Sequence, residues 1–236
     1  MLLALGISAN SASAAVVSWN LNNWGDSPTG ASPTAGVVAT SFWNDTWLDS
    51  MSNPDTDLRD STGGATTIDI SWTSTNGTWN QSGNTHKGAD ADGTLNREIL
   101  TGYLNGTGAN STSVTLSQIS YTTYDVYVYF ASDDSARSGT VTDGTTTYSF
   151  GVLDNMIAGT NALFAQTTDT GSGNPEANYA VFSNLSGASQ TFSTSFMTAG
   201  QYGGIAAIQI VEIVPEPSAA LLGGLGMFGL LRRRRA

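Results

Sequence analysis

Two aspartates separated by one residue form the stretch of this sequence best suited to hold a cation. Asp90 and Asp92 lie in the run ADADGT, where a glycine follows the second carboxylate. Calcium prefers oxygen ligands, and carboxylates at this spacing before a glycine are typical of calcium-binding loops. The bidentate glutamate that completes an EF-hand loop is missing further along. The run therefore predicts either a calcium site at Asp90 and Asp92 or a plain acidic turn.

Carboxylates that could hydrolyse a glycosidic bond are few. The reaction uses two carboxyl groups about 5–9.5 Å apart. Asp133 and Asp134 are adjacent, and neighbours in a strand point to opposite faces, although in a turn they could converge. The sequence has no cysteine and one histidine, His86, which leaves little for thiolate, Ser-His-Asp or zinc chemistry. The glutamates between residues 15 and 213 are Glu98, Glu176 and Glu212.

Tryptophans offer a different chemistry, because an indole ring presents a flat apolar face on which a sugar ring can stack. Trp19 and Trp72 alternate with aliphatic residues, which predicts that both belong to the core. The other four tryptophans lie among Asn, Asp, Ser, Thr and Gly, and they are our candidates for ligand contact, with core packing as the alternative for each. These candidates are Trp24, Trp43, Trp47 and Trp79.

The charge of the chain excludes one large class of partners. The formal net charge is −11, from 8 basic and 19 acidic residues. Residues 215–236 hold four of the basic residues and one of the acidic ones, so 4 basic and 18 acidic residues remain without them, a net charge of −14. A body this acidic repels phosphate backbones, which argues against nucleic-acid binding.

The elements that must position these residues are short strands. Residues 67–72, 112–119 and 123–132 alternate with period two, and Val126, Val128 and Phe130 share one face. Asp143-Gly144 predicts a hairpin turn between residues 139–142 and 145–150. Further strands are predicted at 162–167, 178–183, 191–197 and 204–214. The count of nine or ten strands predicts an all-β fold, a single antiparallel β-sandwich of residues 15–213. One short helix or turn is predicted at 95–103.

The last strand predicts two apolar faces. Ile205, Ala207 and Gln209 fall on one face by alternation, and Ile208 and Ile210 fall on the other. Together with residues 121–132, this pattern resembles the galactose-binding-like jelly rolls of carbohydrate-binding modules, which end in a comparable Gly-Ile-x-x-Ile-x-Ile strand. The resemblance implies a jelly-roll sandwich, and it carries over no binding motif.

Both ends of the sequence predict export. Residues 2–7 are apolar and Ala12-Ser13-Ala14 fits a signal-peptidase site, so residues 1–14 are interpreted as the remnant of a signal peptide. Residues 218–231 carry no charge and predict a short apolar helix in the tail, shorter than the about 17–20 residues that a membrane-spanning helix needs. A basic cluster follows them and would stay on the cytoplasmic side of the membrane. This cluster consists of Arg232, Arg233, Arg234 and Arg235.

The order of these features in residues 214–236 resembles the PEP-CTERM sorting signal. Pro215-Glu216-Pro217 is followed by a glycine-rich apolar segment and then by the arginine cluster. The resemblance implies a Gram-negative bacterium, recognition by exosortase, which is a membrane protease-transpeptidase, and delivery to the cell surface or an extracellular matrix. We therefore expect transient insertion of the tail in the inner membrane and processing near the PEP triplet.

Three functions remain open for the predicted sandwich. The first is a non-catalytic surface or matrix protein that binds extracellular polysaccharide. The second is a secreted polysaccharide hydrolase, and the third is a structural matrix protein without a discrete ligand site. Two carboxylates in a cleft would favour the hydrolase, and an exposed aromatic ring beside polar side chains would favour binding.

Overall fold

A computed structural model of the chain describes residues 14–22, 33–47, 54–80, 89–108, 112–135, 137–153, 160–196 and 200–214. Of residues 22, 45–47 and 80 it describes the backbone alone. The predicted signal remnant up to residue 13, His86, the predicted tail helix at 218–231 and the PEP triplet lie outside these ranges. Within them, no helix is long and apolar enough to cross a bilayer.

The described residues form strands and one turn of 3-10 helix, Glu98–Leu100. Short runs rich in Val, Ile, Thr and aromatic residues, bounded by Gly, Asn and Asp, account for this preference. The strands are β1 (Val16–Asn22), β2 (Asn44–Trp47), β3 (Asp69–Ser74), β4 (Thr78–Asn80), β5 (Gly102–Leu104), β6 (Thr112–Ser117), β7 (Tyr124–Ser132), β8 (Ser138–Thr142), β9 (Thr147–Val152), β10 (Gln166–Thr167), β11 (Glu176–Ala177), β12 (Tyr179–Leu185), β13 (Gln190–Phe196) and β14 (Gly203–Glu212).

Twelve of these strands form two sheets. The first sheet has the order β10-β12-β7-β14-β1-β2, the second sheet has the order β11-β9-β8-β13-β6-β3, and β4 and β5 form a separate ribbon. The all-β prediction is confirmed. The prediction of a wholly antiparallel sandwich is wrong, because β1 and β2, β9 and β11, and β10 and β12 pair in parallel. The jelly-roll order stays a prediction.

The two sheets pack face to face through aromatic side chains. Trp19 of β1 lies 5.5 Å from Trp72 of β3 between ring centroids, which confirms that both tryptophans belong to the core. Phe130 of β7 stacks on Phe150 of β9 at 3.8 Å. Val126 and Val128 are fully buried beside Phe130, and Ile208 and Ile210 are 1% exposed, so the predicted core face of both central strands is confirmed.

A third layer covers the other face of the first sheet, and the sequence did not predict it. We call residues 33–43, 89–101 and 160–165 the outer layer. Its apolar side chains, among them Trp43 and Ile99, pack on Tyr129, Ala206 and Ala207 of the sheet. Burial on both faces explains why β7 and β14, the central strands of this sheet, read as almost continuous apolar runs.

Hydrogen bonds of buried side chains attach the outer layer to the sheet. Tyr129 accepts from the Val37 amide at 2.8 Å and donates to Gln209 Oε1 at 2.5 Å. Gln209 Nε2 donates to the Val38 carbonyl and to Ser18 Oγ. Because a buried polar group without a hydrogen-bond partner lowers the stability of the fold, these bonds hold the outer layer in place on the sheet.

A β-bulge changes the predicted faces of β14. The register against β7 shifts between Ile205 and Ala207, so one extra residue enters this strand. Ile205 therefore joins Ile208 in the central core, and Ala206 and Ala207 both belong to the outer cluster. The strict alternation that placed Ile205 with Ala207 was wrong for this reason.

The short helix or turn predicted at 95–103 is the 3-10 turn Glu98–Leu100, after which β5 begins. Tertiary packing overrides the helical pattern at Gly102. A side chain at this position would clash with the Leu21 carbonyl of β1. The close approach of two backbones thus requires glycine and an extended chain here.

Candidate functional site

A cleft of about 300 Å³ opens beside the ribbon of β4 and β5. Trp79 of β4 is 48% exposed, the largest exposed aromatic ring among the described residues. Tyr202 is 36% exposed and also lines the cleft. The remaining lining residues are Asn76, Tyr103, Asn105 and Asp133.

The ribbon positions Trp79 through its pairing with β5. Trp79 is opposite Tyr103 in the register, and Tyr103 is fully buried, so it provides a fixed base for the ribbon. The turn between β3 and β4 passes through Gly77 at φ +73°, a conformation that favours glycine. The backbone amide of Asn105 donates to the Gly77 carbonyl at 2.8 Å, and the backbone amide of Asn76 donates to the backbone carbonyl of Asn105 at 3.0 Å.

Two glycines bring Tyr202 to the same cleft. Gly106, just after β5, and Gly203, the first residue of β14, exchange two backbone hydrogen bonds of 3.0 and 3.1 Å. A Cβ atom at Gly203 would lie 2.7 Å from the Ala131 carbonyl oxygen, so only glycine fits. Tyr202 therefore lies at the point where β5 and β14 meet.

An ion pair forms one edge of the cleft. Arg137 Nη1 lies 2.5 Å from Asp133 Oδ1, and the two side chains are 17% and 39% exposed. The same nitrogen donates to the Tyr202 carbonyl at 3.0 Å. Arg137 thus connects Asp133 to the backbone of Tyr202.

Asn105 is an unusual residue in the cleft wall, because it is only 7% exposed. Its side-chain Oδ1 is buried without a hydrogen-bond partner among the residues that the structure describes. A buried carbonyl oxygen in this state costs about 1–3 kcal/mol. An unsatisfied group beside an open cleft is a feature that ligand binding can explain.

The structure places the four candidate tryptophans differently. Trp79 lines the cleft, whereas Trp43 is 1% exposed in the outer layer, where its Nε1 donates to the Ala35 carbonyl and its ring meets Tyr129 edge-on. Trp43 therefore has no ring face open to a ligand. Trp47 is the last residue of β2, and its backbone alone is described. Trp24 lies outside the described residues.

The two aspartates of the predicted calcium loop have internal partners. Asp90 is buried, and its Oδ1 accepts from Arg97 Nε at 2.8 Å and from the Ala162 amide at 3.1 Å. Asp92 is exposed, and hydrogen bonds from the Thr94 amide and hydroxyl lower its pKa. Calcium binding at Asp90 would have to break the Asp90–Arg97 ion pair. The described ranges contain no group of three or more acidic, His or Cys side chains able to hold a metal.

The carboxylates considered for hydrolysis are not brought together at the cleft. Of the described residues, Asp133 is the one carboxylate that lines it, and it is paired with Arg137. Glu98 is fully buried in the 3-10 turn. Glu212 pairs with Ala15, because its Oε2 accepts from the Ala15 amide and its own backbone amide donates to the Ala15 carbonyl.

Sequence reasoning found Trp79 and missed Tyr202, Asn76 and Asn105. These residues come from three segments that are far apart in the sequence. A usable signal was the combination of an aromatic residue with nearby glycines in GYLNG and in QYGG, because glycine permits the close backbone approach that joins the two segments.

Comparisons with known proteins give a short match in the tail and weak likenesses to solved structures. No curated protein matches the chain. Among solved structures, the chain is similar to an exo-β-1,3-galactanase from Phanerochaete chrysosporium, crystallised with galactose, at 15% identity and a TM-score of 0.28. The similar region covers 66% of this chain and 33% of the galactanase chain, so this chain spans about a third of that protein.

The tail gives the specific match. Residues 214–235 match the model of the PEP-CTERM protein-sorting motif, which exosortase-type processing enzymes recognise. The expected resemblance of the tail is thereby confirmed. The chain thus carries a PEP-CTERM sorting motif in its tail, and this motif implies that the protein is exported and sorted through the membrane.

Proposed function

We propose that this protein is a non-catalytic component of the cell surface or extracellular matrix that binds polysaccharide through the cleft at Trp79. The single observation that carries the proposal is the exposed Trp79 ring beside Tyr202 and two asparagines. The sorting motif supports it, because a protein delivered outside the cell meets the polysaccharides there.

The side chains of the cleft suit a sugar. Pyranose rings have an apolar face that packs on an indole, and hydroxyl groups around the ring that need hydrogen-bond partners. Trp79 and Tyr202 can provide the first kind of contact, and Asn76 and Asn105 the second. The volume of about 300 Å³ is at the lower end of the range for small-molecule sites, about 300–1,000 Å³, which suits a short stretch of a polymer chain.

The hydrolase alternative has less support. It requires a second carboxylate about 5–9.5 Å from the first. Asp133 is the one carboxylate in the cleft lining among the described residues, and its partner is a guanidinium. The third alternative, a structural protein without a ligand site, leaves the exposed Trp79 ring and the buried Asn105 amide without a role.

The proposal for the tail completes the function. In the scheme we favour, residues 1–14 direct export, residues 15–213 fold as one domain, and residues 218–231 lodge in the inner membrane with Arg232 and its three arginine neighbours on the cytoplasmic side. Exosortase then cuts near Glu216 and releases the domain outward. Trp24 and Trp47 remain candidates for further ligand contacts.

Replacement of Trp79 tests the binding proposal. The variant Trp79→Ala should weaken binding to the polysaccharide that retains the native protein by about tenfold or more, because a central aromatic anchor is worth about 1.4 kcal/mol or more. Affinity electrophoresis and calorimetry on the full chain measure the effect. Leu163→Ala is the matched control, since Leu163 is 63% exposed and is not among the residues that line the cleft. Equal binding by both variants would reject the cleft as the binding site.

A further inference from the structure

The charges around the cleft select against acidic ligands. The residues before 215 carry 4 basic and 18 acidic side chains. No Lys or Arg is among the described residues that line the cleft, and Arg137, which contacts the lining at Tyr202, already has its Nη1 2.5 Å from Asp133 Oδ1. No positive charge in this lining is therefore left over for a carboxylate or sulfate group of a polymer. Because Asp133 compensates Arg137, an anionic sugar would find no free cation in the lining and would meet the field of an acidic domain.

The side-chain amide of Asn105 favours a ligand with a hydroxyl group. Its Oδ1 is an acceptor without a partner in the described part of the chain, and the residue lines the cleft. Rotation of the amide plane about its Cβ–Cγ bond exchanges the oxygen and the NH₂ group with little change of shape. A sugar hydroxyl can donate to the oxygen or accept from the NH₂ group, whereas a carboxylate can only accept.

We infer that the ligand of this cleft is a neutral glycan, bound by Trp79 at the apolar face of one hexose and by the Asn105 amide at a hydroxyl of that sugar. The inference rests on the proposed function and names the ligand class of the same site. Asp133 acts as the residue that excludes uronic acids and sulfated sugars, because it neutralises Arg137, which could otherwise bind their charged groups.

Matched pairs of polymers test the ligand class. Soluble glucose, galactose and mannose polymers are compared with the uronic acid polymer of each series, by calorimetry on the full chain at about 20 mM and about 500 mM salt. We expect at least one neutral polymer to bind, and its uronic acid counterpart to bind about fivefold or more weakly at low salt, since a like charge at close range in water has an effect of this size. The difference should shrink at high salt, where charges are screened.

Two substitutions of aspartate by asparagine test the excluding residue. Asp133→Asn should increase the affinity for the uronic acid polymer about fivefold and leave that for the neutral polymer within twofold. Asp143→Asn is the control. It removes the same charge just after β8, at the end of this strand away from Arg137, in a turn where Asn can still accept from the Thr145 and Thr146 amides. This control should leave both affinities unchanged.

Asn105→Ala separates binding from folding. The variant should bind the neutral polymer about fivefold more weakly, an effect of one hydrogen bond, while its melting temperature stays the same or rises. A merely structural Asn105 would lower the melting temperature and leave the affinity of the folded protein unchanged, which would overturn its assigned role.

The outcomes distinguish the inference from the proposed function. If uronic acid polymers bind as tightly as the neutral polymers or more tightly, and Trp79→Ala removes this binding, the inference of a neutral ligand is wrong while the cleft stays the binding site. Failure of all neutral and acidic polymers to bind overturns both. If the neutral polymer binds but Asp133→Asn does not increase the affinity for its uronic acid counterpart, Asp133 is not the excluding residue.

Discussion

The buried ion pair of Asp90 and Arg97 should be essential for the outer layer. Both side chains are at most 1% exposed, and the Asp90 oxygens also accept from Thr94 Oγ1 and from the Ala162 amide. Arg97 Nη2 donates to the Thr160 carbonyl as well. The pair therefore joins residues 89–101 to residues 160–165, two of the three segments of this layer.

Removal of either partner leaves an uncompensated charge in the protein interior, which costs about 3–5 kcal/mol. At about 2–4 °C per kcal/mol for a domain of this size, Arg97→Met and Asp90→Asn should each lower the melting temperature by roughly 6–20 °C. The double variant should lose less than the sum of the two, because neither charge remains, and a coupling free energy of about 1–3 kcal/mol is expected.

Chemical unfolding of the two single variants and the double variant measures this coupling. The exposed pair provides the comparison, since Arg137→Met removes an ion pair with a 39% exposed partner and should cost less than about 1 kcal/mol. A coupling free energy below about 0.5 kcal/mol would contradict the claim that burial makes the Asp90–Arg97 pair important for stability. Equal losses of unfolding free energy in Arg97→Met and Arg137→Met would contradict it as well.

Three further predictions address the core, the pH dependence and the tail. Trp43→Ala should cost about 3–5 kcal/mol in urea unfolding, because it removes a buried ring from the outer layer; a loss under about 1 kcal/mol would show that the layer does not depend on it. Burial raises the pKa of Tyr129 well above 10. The unfolded chain releases this phenolic proton near pH 10 and the folded chain does not, so the free energy of unfolding should fall as the pH rises above about 10. Tyr129→Phe should make the fall less steep, and an unchanged slope would exclude Tyr129 as its source. Protein secreted by the native host should lack residues from about 218 onward, and Glu216→Ala should leave uncut precursor in the membrane. An intact mass that still includes Arg235 would show that the tail is not cleaved.

The sequence predicted the fold best where one physical rule acts alone. Val126, Val128 and Phe130 alternate with other residues, and period two suffices to bury them in a sheet. The same rule failed at Ile205, because the bulge before Ala207 inserts a residue that no alternation reveals. Helical spacing predicted a short helix or turn at residues 95–103, and only a 3-10 turn forms, because the contact between Gly102 and β1 is a tertiary effect that the local pattern does not reveal.

The outer layer could not be derived from periodicity, because its segments are loops without a repeat. A weaker signal was present in the strands that it covers. The face of β7 opposite Phe130 carries Tyr127 and Tyr129, and β14 adds Ala206 and Ala207. A sheet face with that many apolar atoms needs a cover, since exposed apolar surface of this extent is unfavourable in a monomer. The sequence thus indicated that a cover exists without indicating which residues form it.

Trp43 and Trp79 show why the candidate site was harder to predict than the fold. Both tryptophans precede an asparagine and lie in short polar contexts, so their local sequences predict the same exposure. Their exposures are 1% and 48%, because Trp43 packs within the outer layer against Tyr129, whereas Trp79 lies on a two-stranded ribbon and faces the cleft. Their partners determine the difference, and those partners are 86 residues away in one case and 24 in the other. An exposed tryptophan on a small ribbon gains little stability from its position, and ligand contact is the role that we assign to it.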